Sequence, residues 1–517
     1  MNAQLAKLRT ALLLVSWLAL AGCATNPVTG KREFALVSQG EEISIGQQQY
    51  MPAQQSQGGQ YQGDPELTNY VQAVGDRLAA VSDTPLPYEF VVLNNSTPNA
   101  WALPGGKIAI NRGLLVTLEN EAELAAVLGH EIVHAAARHG AKSMERAMLL
   151  QGAAVLTAIG VSGSDYGNYI MEGAQLGSQL ITTQYGRGAE LESDYYGMQY
   201  MARAGYDPAA AISLQEKFVQ LSQGRSSSWL DGLFASHPPS QQRVEKNRET
   251  AAQIKSAQAQ DWKLGQATYQ SKIGYLKSKT DAYQALDQAT TLARKNELSA
   301  AYNRLDRAIS LEPRESRFYG FKGNLLFNEK KYQDAVAEFD RAIQLDNGYY
   351  EFFLGRGMSH SALGNQSQAK QDLMRSNQLL PTAIATHELG HLSLAAGDRA
   401  TAKRYYADVA QSGGNLGQSA ANSYIRLDLS DNPARYFNVS AEVNQGQVIA
   451  RIVNRTSLAI RSGVLSYSAV INGQPRQGQA HLGAISAGQG IRVSIGWRIS
   501  DADFVDRLNF QVIDVSL

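Results

Sequence analysis

The sequence of 517 residues predicts a multidomain fold: a mainly α-helical region with a small β-sheet, then an α-helical solenoid, then an all-β sandwich. Three patterns lead to this prediction. Apolar residues at helical spacing surround two strand-like runs in the first region. Small residues recur every 33 or 34 positions between about 281 and 414, and from about 434 apolar and polar residues alternate without a helical period. At ~100–200 residues per domain, the length also suits several domains.

The composition excludes several classes of protein. Lys+Arg and Asp+Glu both number 47, and a net charge of zero argues against nucleic-acid binding. With 44% hydrophobic residues the chain can bury real cores. Its single cysteine excludes an intrachain disulfide and a multi-cysteine metal site, so any metal site must use histidines and carboxylates.

Residues 1–22 are predicted to be a lipoprotein signal peptide. A short basic stretch precedes the apolar run Ala11–Ala21, which is shorter than the ~20 residues that a membrane-spanning helix needs. The run ends in Leu-Ala-Gly-Cys, which resembles a bacterial lipobox, so we expect lipidation at Cys23. The alternative is a buried cysteine after an ordinary signal peptide. Ala24, in place of aspartate, predicts an outer-membrane anchor facing the periplasm of a Gram-negative bacterium.

The next segments are assigned from periodicity and turn signals. Residues 23–64 are predicted to be a lipidated tether with an early helix at about 38–50. Further helices are expected at 65–82, about 119–140 and 148–160, the last either buried or resting on a membrane interface. Strands are expected at Tyr88–Leu93 and Lys107–Ile110, with a turn over 99–106.

An internal repeat occupies residues 281–414. Its small residues, spaced 33 or 34 positions apart, resemble those of about four tetratricopeptide repeats, in which paired helices approach closely at glycine and alanine. Such arrays form concave grooves that bind peptides or protein partners. The residues concerned are Gly323, Gly357, Gly390, Ala301, Ala335, Ala369 and Ala402.

Residues 434–517 contain six or seven short alternating runs separated by turn signals such as Asn472-Gly473. They predict a small β-sandwich, with an immunoglobulin-like fold as one option. The sequence does not reveal its function.

The segment His130-Glu131-Ile132-Val133-His134 is an HExxH motif in a helix-favouring run. Residues four positions apart share one helix face, so His130 and His134 can present two imidazoles to one zinc ion. Glu131 lies beside them and is a candidate general base. The motif alone is a weak signal and requires a third ligand.

A candidate third ligand lies 56 residues further on, in Arg-Gly-Ala-Glu-Leu-Glu-Ser-Asp. Glu190 can complete a site of two histidines and one glutamate, and Asp194, four residues later, can orient a ligand imidazole. Glu192 is expected to point elsewhere on the helix. The alternative is that all of these are solvated helix carboxylates.

The segments GHEIVHAAARH, RGAELESDYYGMQYMARAGYDP and SHPPSQQR together resemble the HtpX-like and CAAX-prenyl-protease-like gluzincin metallopeptidases over residues 30–250. A periplasmic branch of that family carries C-terminal tetratricopeptide repeats. The resemblance implies a mainly α zincin-type metallopeptidase domain at 65–265 with one zinc ion per chain. It implies His130, His134 and Glu190 as zinc ligands, Glu131 as general base, and Asp194 as support for the ligand helix.

The same resemblance suggests further site residues. His237 either approaches the metal and regulates it or stabilises the oxyanion, and Arg243 is a second candidate for the oxyanion. A structural position beside Pro238 is the alternative for His237. Residues Asn99, Ala100, Trp101 and Ala102 resemble the family's edge strand, on which a substrate strand pairs; the alternative is an ordinary hairpin. No organic cofactor site is predicted.

A second HExxH motif, His387–His391, is interpreted as a coincidence. It lies within the fourth repeat, and no further glutamate–aspartate motif follows it. The histidines His139, His360 and His481 have no partner pattern and are interpreted as structural or surface residues.

Three functions follow from these patterns. The preferred one is an outer-membrane-anchored periplasmic zinc endopeptidase that cleaves misfolded or misassembled envelope proteins, with the repeats recruiting substrates or assembly machinery. The alternative is a non-proteolytic chaperone or adaptor that docks an outer-membrane assembly complex. A prenyl-protein protease is discounted, because that activity needs a multi-helix membrane chamber and the sequence has no ~20-residue apolar span.

Overall fold

The computed structural model describes residues 23–155, 181, 184–223, 231–258, 260–500 and 502–517. The predicted signal peptide lies outside these residues, as do positions 156–160 of the predicted apolar helix. The chain forms two compact units, one up to Pro381 and one from Thr382 onward. Each unit is described by itself.

The first unit begins with a hairpin where a tether is predicted. Strands β1 (Cys23–Thr25) and β2 (Arg32–Phe34) pair antiparallel, and the Asn26 side chain accepts hydrogen bonds from the turn backbone that joins them. The early helix is present as α1 (Gln39–Ser56). It starts where it does because Ser38 and Glu41 form a reciprocal capping box.

Helix α2 (Pro65–Ala79) buries one apolar face, as its spacing predicts, and packs on a small sheet. In the sheet, β3 (Glu89–Leu93) runs parallel to β5 (Lys107–Asn111), and β4 (Ala100–Leu103) pairs antiparallel with β5. The strand order β3-β5-β4 leaves β4 at the edge. The sequence predicted a turn over all of 99–106, whereas the turn is confined to 104–106.

The HExxH segment lies on a fully buried helix. After the short α3 (Arg112–Leu115), helix α4 (Glu121–Ala136) begins at Asn120, whose side chain caps it. The predicted single helix over 119–140 is interrupted, because Arg138 adopts a left-handed conformation with φ of 63°. The chain turns there and continues as α5 (His139–Val155).

Helix α6 (Arg187–Arg203) crosses α4 at two glycines. A β-carbon added to Gly129 would lie 3.1 Å from the Gly197 carbonyl oxygen, and one added to Gly197 would lie 3.1 Å from the His130 nitrogen. This close approach brings the two candidate ligand helices together. The remaining helices of this region are α7 (Ala210–Gln223), α8 (Asp231–Ser236), α9 (Gln241–Ala257), α10 (Gln266–Lys272) and α11 (Gly274–Ser278).

Three helical hairpins complete the first unit and confirm the repeat pattern. A β-carbon on Gly323 would meet the Phe339 ring at 2.8 Å, and one on Gly357 would meet Leu373 at 2.9 Å, so the paired helices touch at these glycines. The helices are α12 (Thr280–Arg294), α13 (Leu298–Leu311), α14 (Ser316–Asn328), α15 (Tyr332–Leu345), α16 (Tyr350–Ala362) and α17 (Gln366–Leu379).

The second unit contains another hairpin of the same kind, a further helix and a β-sandwich. Its helices are α18 (Ala383–Ala395), α19 (Arg399–Ala410) and α20 (Gly414–Asp428). Gly390 approaches Tyr406 of the paired helix, as the repeat predicts.

Two three-stranded antiparallel sheets, ordered β10-β7-β6 and β11-β8-β9, form the sandwich around a core that includes Ile452, Leu465 and Val512. The strands are β6 (Phe437–Asn444), β7 (Gln447–Asn454), β8 (Ser462–Ile471), β9 (Gln474–Leu482), β10 (Gly490–Arg498) and β11 (Val505–Ser516).

Within the described part of the chain, we find no helix whose length and apolar character would allow it to cross a membrane.

The glycine crossing yields a first prediction. Gly197→Ala inserts a methyl group between α4 and α6, so we expect a loss of about 1–3 kcal/mol in the free energy of unfolding. Denaturant titration measures this loss. Gly188→Ala on the same helix is the matched control, because a β-carbon there meets no atom within 4 Å. Equal stability of the two variants would contradict the close crossing.

Candidate metal centre

Three side chains converge at the crossing of α4 and α6. The Nε2 atoms of His130 and His134 lie 3.0 Å apart. Glu190 faces them from α6, with one carboxylate oxygen 3.5 Å from His130 Nε2 and the other 3.3 Å from His134 Nε2. All three side chains are buried. The structure therefore brings together the ligand set that the sequence predicts.

The spacing of these donor atoms fits one metal ion. Nitrogen and oxygen ligands about 2.0–2.2 Å from a tetrahedral zinc lie roughly 3.3–3.5 Å from one another. His237 Nδ1 extends the cluster, at 3.2 Å from Glu190 Oε1 and 3.3 Å from His130 Nε2. The four donor atoms lie within 4.8 Å of one another and form the metal-ligand cluster found among the described residues.

Asp194 lies where a ligand-orienting carboxylate is expected. Its Oδ1 is 2.9 Å from His130 Nδ1, on the side of the ring opposite the cluster. A hydrogen bond from this nitrogen fixes the ring orientation and leaves Nε2 free to bind a cation. Burial alone would raise the pKa of Asp194, but Arg243 and His130 outweigh it and lower that pKa.

Arg243 binds the carboxylates of the site. Its guanidinium donates two hydrogen bonds of 2.7 Å to Asp194, and its Nη1 lies 2.8 Å from Glu190 Oε2. The side chain is buried together with both partners. A planar guanidinium held this way positions two acidic residues, and this geometry favours a positioning role for Arg243 over the oxyanion role that the resemblance suggests.

The sequence prediction missed the support of the second histidine. His139 was interpreted as structural or surface, yet its Nδ1 lies 2.9 Å from His134 Nδ1, and its Nε2 lies 3.2 Å from Glu192. Glu192, expected to point elsewhere, therefore reaches the same network. The break at Arg138 brings His139 back to His134, and the residue with the left-handed conformation is an arginine rather than a glycine.

Tyr185 is a second missed residue. Its ring stacks on the His134 imidazole with centroids 3.9 Å apart and an interplanar angle of 26°. It is buried, and burial raises the pKa of its hydroxyl. The stacked ring holds the plane of the His134 imidazole, and the contact with His139 Nδ1 holds its Nδ1 edge. No motif marks this tyrosine, because stacking depends only on tertiary contact.

The electrostatics of the cluster are those of charged groups held out of water. Burial favours neutral His130, but Glu190 and Asp194 raise the pKa of this histidine to about 10. Burial raises the pKa of Glu131, against the attraction of His237 and His130. Glu131 Oε2 and His237 Nε2 are buried without a hydrogen-bond partner among the described residues. Such a set of unsatisfied donors and acceptors fits a bound cation and a polar substrate.

The other predicted site residues are placed as follows. Residues Ala100, Trp101 and Ala102 lie on the edge strand β4, directly after Asn99, and β4 pairs only with β5 among the described strands. Ala100 lines a cavity together with His130 and Glu131. Cys23, the predicted lipidation site, is the first residue of β1 and is not a member of the metal-ligand cluster.

The second HExxH segment lacks a third ligand in the described chain. His387 and His391 stand on one face of α18 with ring centroids 4.5 Å apart, and the Tyr406 hydroxyl lies 3.2 Å from His391 Nδ1. His391 is exposed. Among the described residues, no glutamate or aspartate completes a three-ligand cluster with these two histidines.

This arrangement is that of a gluzincin site, in which a helix carries HExxH and a second helix supplies a glutamate. The model of the family described as Peptidase family M48 matches residues 65–251. The mitochondrial metalloendopeptidase OMA1 of Schizosaccharomyces pombe is 33% identical over 234 residues, which cover 44% of this chain and 67% of that protein. The chain belongs to peptidase family M48.

The chain is also similar to a bacterial protease and to a further solved structure. The β-barrel assembly-enhancing protease of Yersinia pestis is 34% identical over 211 residues, 38% of this chain and 42% of that protein. The chain thus spans less than half the length of this curated relative. A solved structure of Pseudomonas aeruginosa PilF matches with a TM-score of 0.27 and 18% identity, over 43% of this chain and 83% of that one.

The contact between two histidines yields a second prediction. His139→Ala removes the group that holds His134, so we expect metal affinity to fall about 10–100-fold, the usual effect of losing such support. Competition with a chromogenic chelator measures this affinity. His481→Ala, an exposed histidine in the β-sandwich, is the control and should leave the affinity unchanged. Unchanged affinity in His139→Ala would show that His134 needs no such support.

Proposed function

We propose that this chain is a zinc-dependent metalloendopeptidase with one zinc ion bound by His130, His134 and Glu190. The observation that supports it best is the convergence of these three side chains beside a buried Glu131. A structural zinc site has no need of a general base, so the presence of Glu131 favours catalysis.

Each residue has a distinct role in the proposed reaction. When bound, zinc supplies Lewis-acid chemistry that polarises the scissile carbonyl and activates water. Glu131 takes a proton from the attacking water and returns it to the leaving nitrogen. His237 is the candidate for stabilising the developing oxyanion, because its Nε2 is 3.5 Å from Glu131 Oε1 and has no hydrogen-bond partner among the described residues.

The substrate is proposed to bind as an extended strand along β4. An edge strand offers backbone donors and acceptors to a peptide, and such pairing is independent of side-chain sequence. This mode suits substrates that have lost their native pairing, as misfolded or misassembled proteins have. The proposed domain that performs this reaction covers residues 65–265, and the repeats over 281–414 are proposed to recruit substrates or assembly machinery.

The proposed site of action is the periplasmic face of the outer membrane. The lipobox-like segment before Cys23 supports a lipid anchor there. The similarity to the β-barrel assembly-enhancing protease of Yersinia pestis supports a role in envelope protein quality control.

A second function is favoured by the position of His237. Because His237 Nδ1 lies among the ligand atoms, it can close the fourth ligand position and silence the site. The chain would then act as a non-proteolytic chaperone or adaptor for an outer-membrane assembly complex, through its repeats and β-sandwich.

Zinc content tests the metal site independently of activity. We expect about one zinc per chain in purified, metal-replete protein, lost in His134→Ala and retained in His391→Ala. Plasma emission spectrometry measures it. Zinc that survives His134→Ala and disappears in His391→Ala would move the site into α18. Absence of zinc from every form would defeat the metallopeptidase proposal.

Cleavage of an unfolded envelope protein separates the enzyme from the adaptor. We expect Glu131→Gln to lower the rate about 100–10,000-fold with zinc content unchanged, because only the proton transfer is lost. His237→Ala distinguishes the two roles of this histidine. A faster rate indicates a blocking ligand, and a slower rate indicates oxyanion stabilisation. Full biological function in Glu131→Gln would support the adaptor.

A further inference from the structure

A small cavity opens beside the candidate general base. Its volume is about 50 Å³, and its wall includes Glu131, His237 and the edge-strand residue Ala100. A substrate strand paired with β4 would therefore direct a side chain into it. His130, Asp194 and Arg243 of the metal centre also line it. The apolar part of the wall comes from four helices: Val127, Met198, Met201, Leu214, Phe218 and Leu233.

One polar side chain in this wall stands out. Gln215 is only 4% exposed, and its Nε2 has no hydrogen-bond partner among the described residues. By contrast, the other buried amide of the wall, Asn247, donates to the Ala211 carbonyl at 3.5 Å. A buried donor without a partner costs roughly 1–3 kcal/mol, so its presence points to a ligand that satisfies it.

The size and polarity of the cavity limit which substrate side chain it can hold. At ~10–15 Å³ for each water-sized group, 50 Å³ holds a side chain of about four heavy atoms. The larger part of the wall surface is apolar and favours a side chain with an apolar stem. The free amide donor favours an acceptor near the tip. Methionine has an unbranched apolar stem, four heavy atoms and a weakly accepting sulfur.

We propose that Gln215 is a specificity-determining residue that selects methionine at one of the two substrate positions flanking the scissile bond. The inference rests on the proposed peptidase function and specifies its substrate class. Methionine is ordinarily buried in folded proteins, so this preference directs cleavage to chains that have exposed their cores.

The test uses one peptide series that differs at the flanking position. The position carries methionine, its isostere norleucine without an acceptor, or methionine sulfoxide with a stronger acceptor. Cleavage rates are measured with the full zinc-loaded chain. Binding of the labelled peptides to Glu131→Gln protein is measured in parallel by fluorescence anisotropy, which does not depend on turnover.

We expect methionine to exceed norleucine about two- to tenfold in both measurements, the usual worth of one hydrogen bond, and the sulfoxide to equal or exceed methionine. Gln215→Leu should bind methionine and norleucine equally. Gln220→Leu, an exposed glutamine on the same helix, is the matched control and should retain the wild-type preference.

The outcomes separate the two proposals. Binding and cleavage without discrimination in wild-type protein, or discrimination that persists in Gln215→Leu, would overturn the role of Gln215 and leave the peptidase intact. Absence of both binding and cleavage would defeat the proposed function itself. Thermal unfolding checks that Gln215→Leu folds, and we expect a midpoint no lower than wild type, because the variant removes an unpartnered donor. The wild-type comparison of methionine with norleucine decides the question even if that variant fails.

Discussion

The contact of α4 and α6 at Gly129 and Gly197 is the constraint on which the site depends. His130 immediately follows one glycine, and Asp194 lies one turn before the other. Because neither glycine carries a β-carbon, the backbones approach until a carboxylate from α6 reaches the imidazoles of α4. Larger residues would separate the helices, and the three ligands would no longer share a common centre.

This contact buries several charged side chains, and neighbouring groups of opposite charge offset them. Glu190 and Asp194 are negative and buried, and Arg243 supplies a positive charge to both. Burial raises the pKa of Glu131, and Glu190 and Asp194 raise the pKa of His130 to about 10. A divalent metal bound by the Nε2 atoms of the two histidines would supply further positive charge to these carboxylates.

The sequence predicted the parts of this site that share a helix. His130 with His134, and Glu190 with Asp194, are four residues apart, so helix geometry alone brings each pair to one face. The repeat was predicted from small residues that recur every 33 or 34 positions, and the edge strand from the family resemblance, since the local pattern alone predicted a turn there. His139, Tyr185 and Gln215 were missed because a left-handed residue, a ring stack and a cavity wall arise only when distant segments meet. The β1–β2 hairpin was not predicted. Its turn is held by the Asn26 side chain, which accepts hydrogen bonds from the turn backbone and leaves no periodic pattern in the sequence.

The same reasoning connects the repeats to the edge strand within the first unit. Asn94, which directly follows β3, donates to Glu315 of the repeats at 3.0 Å. Arg112, the first residue of α3, donates to Asn94 at 2.8 Å. The Arg112 guanidinium also lies 3.4 Å from the centre of the Tyr283 ring. These contacts lie at the start of the loop that leads into β4. Since buried polar networks hold their members in one arrangement, the repeats help to fix the strand on which we propose that substrate binds.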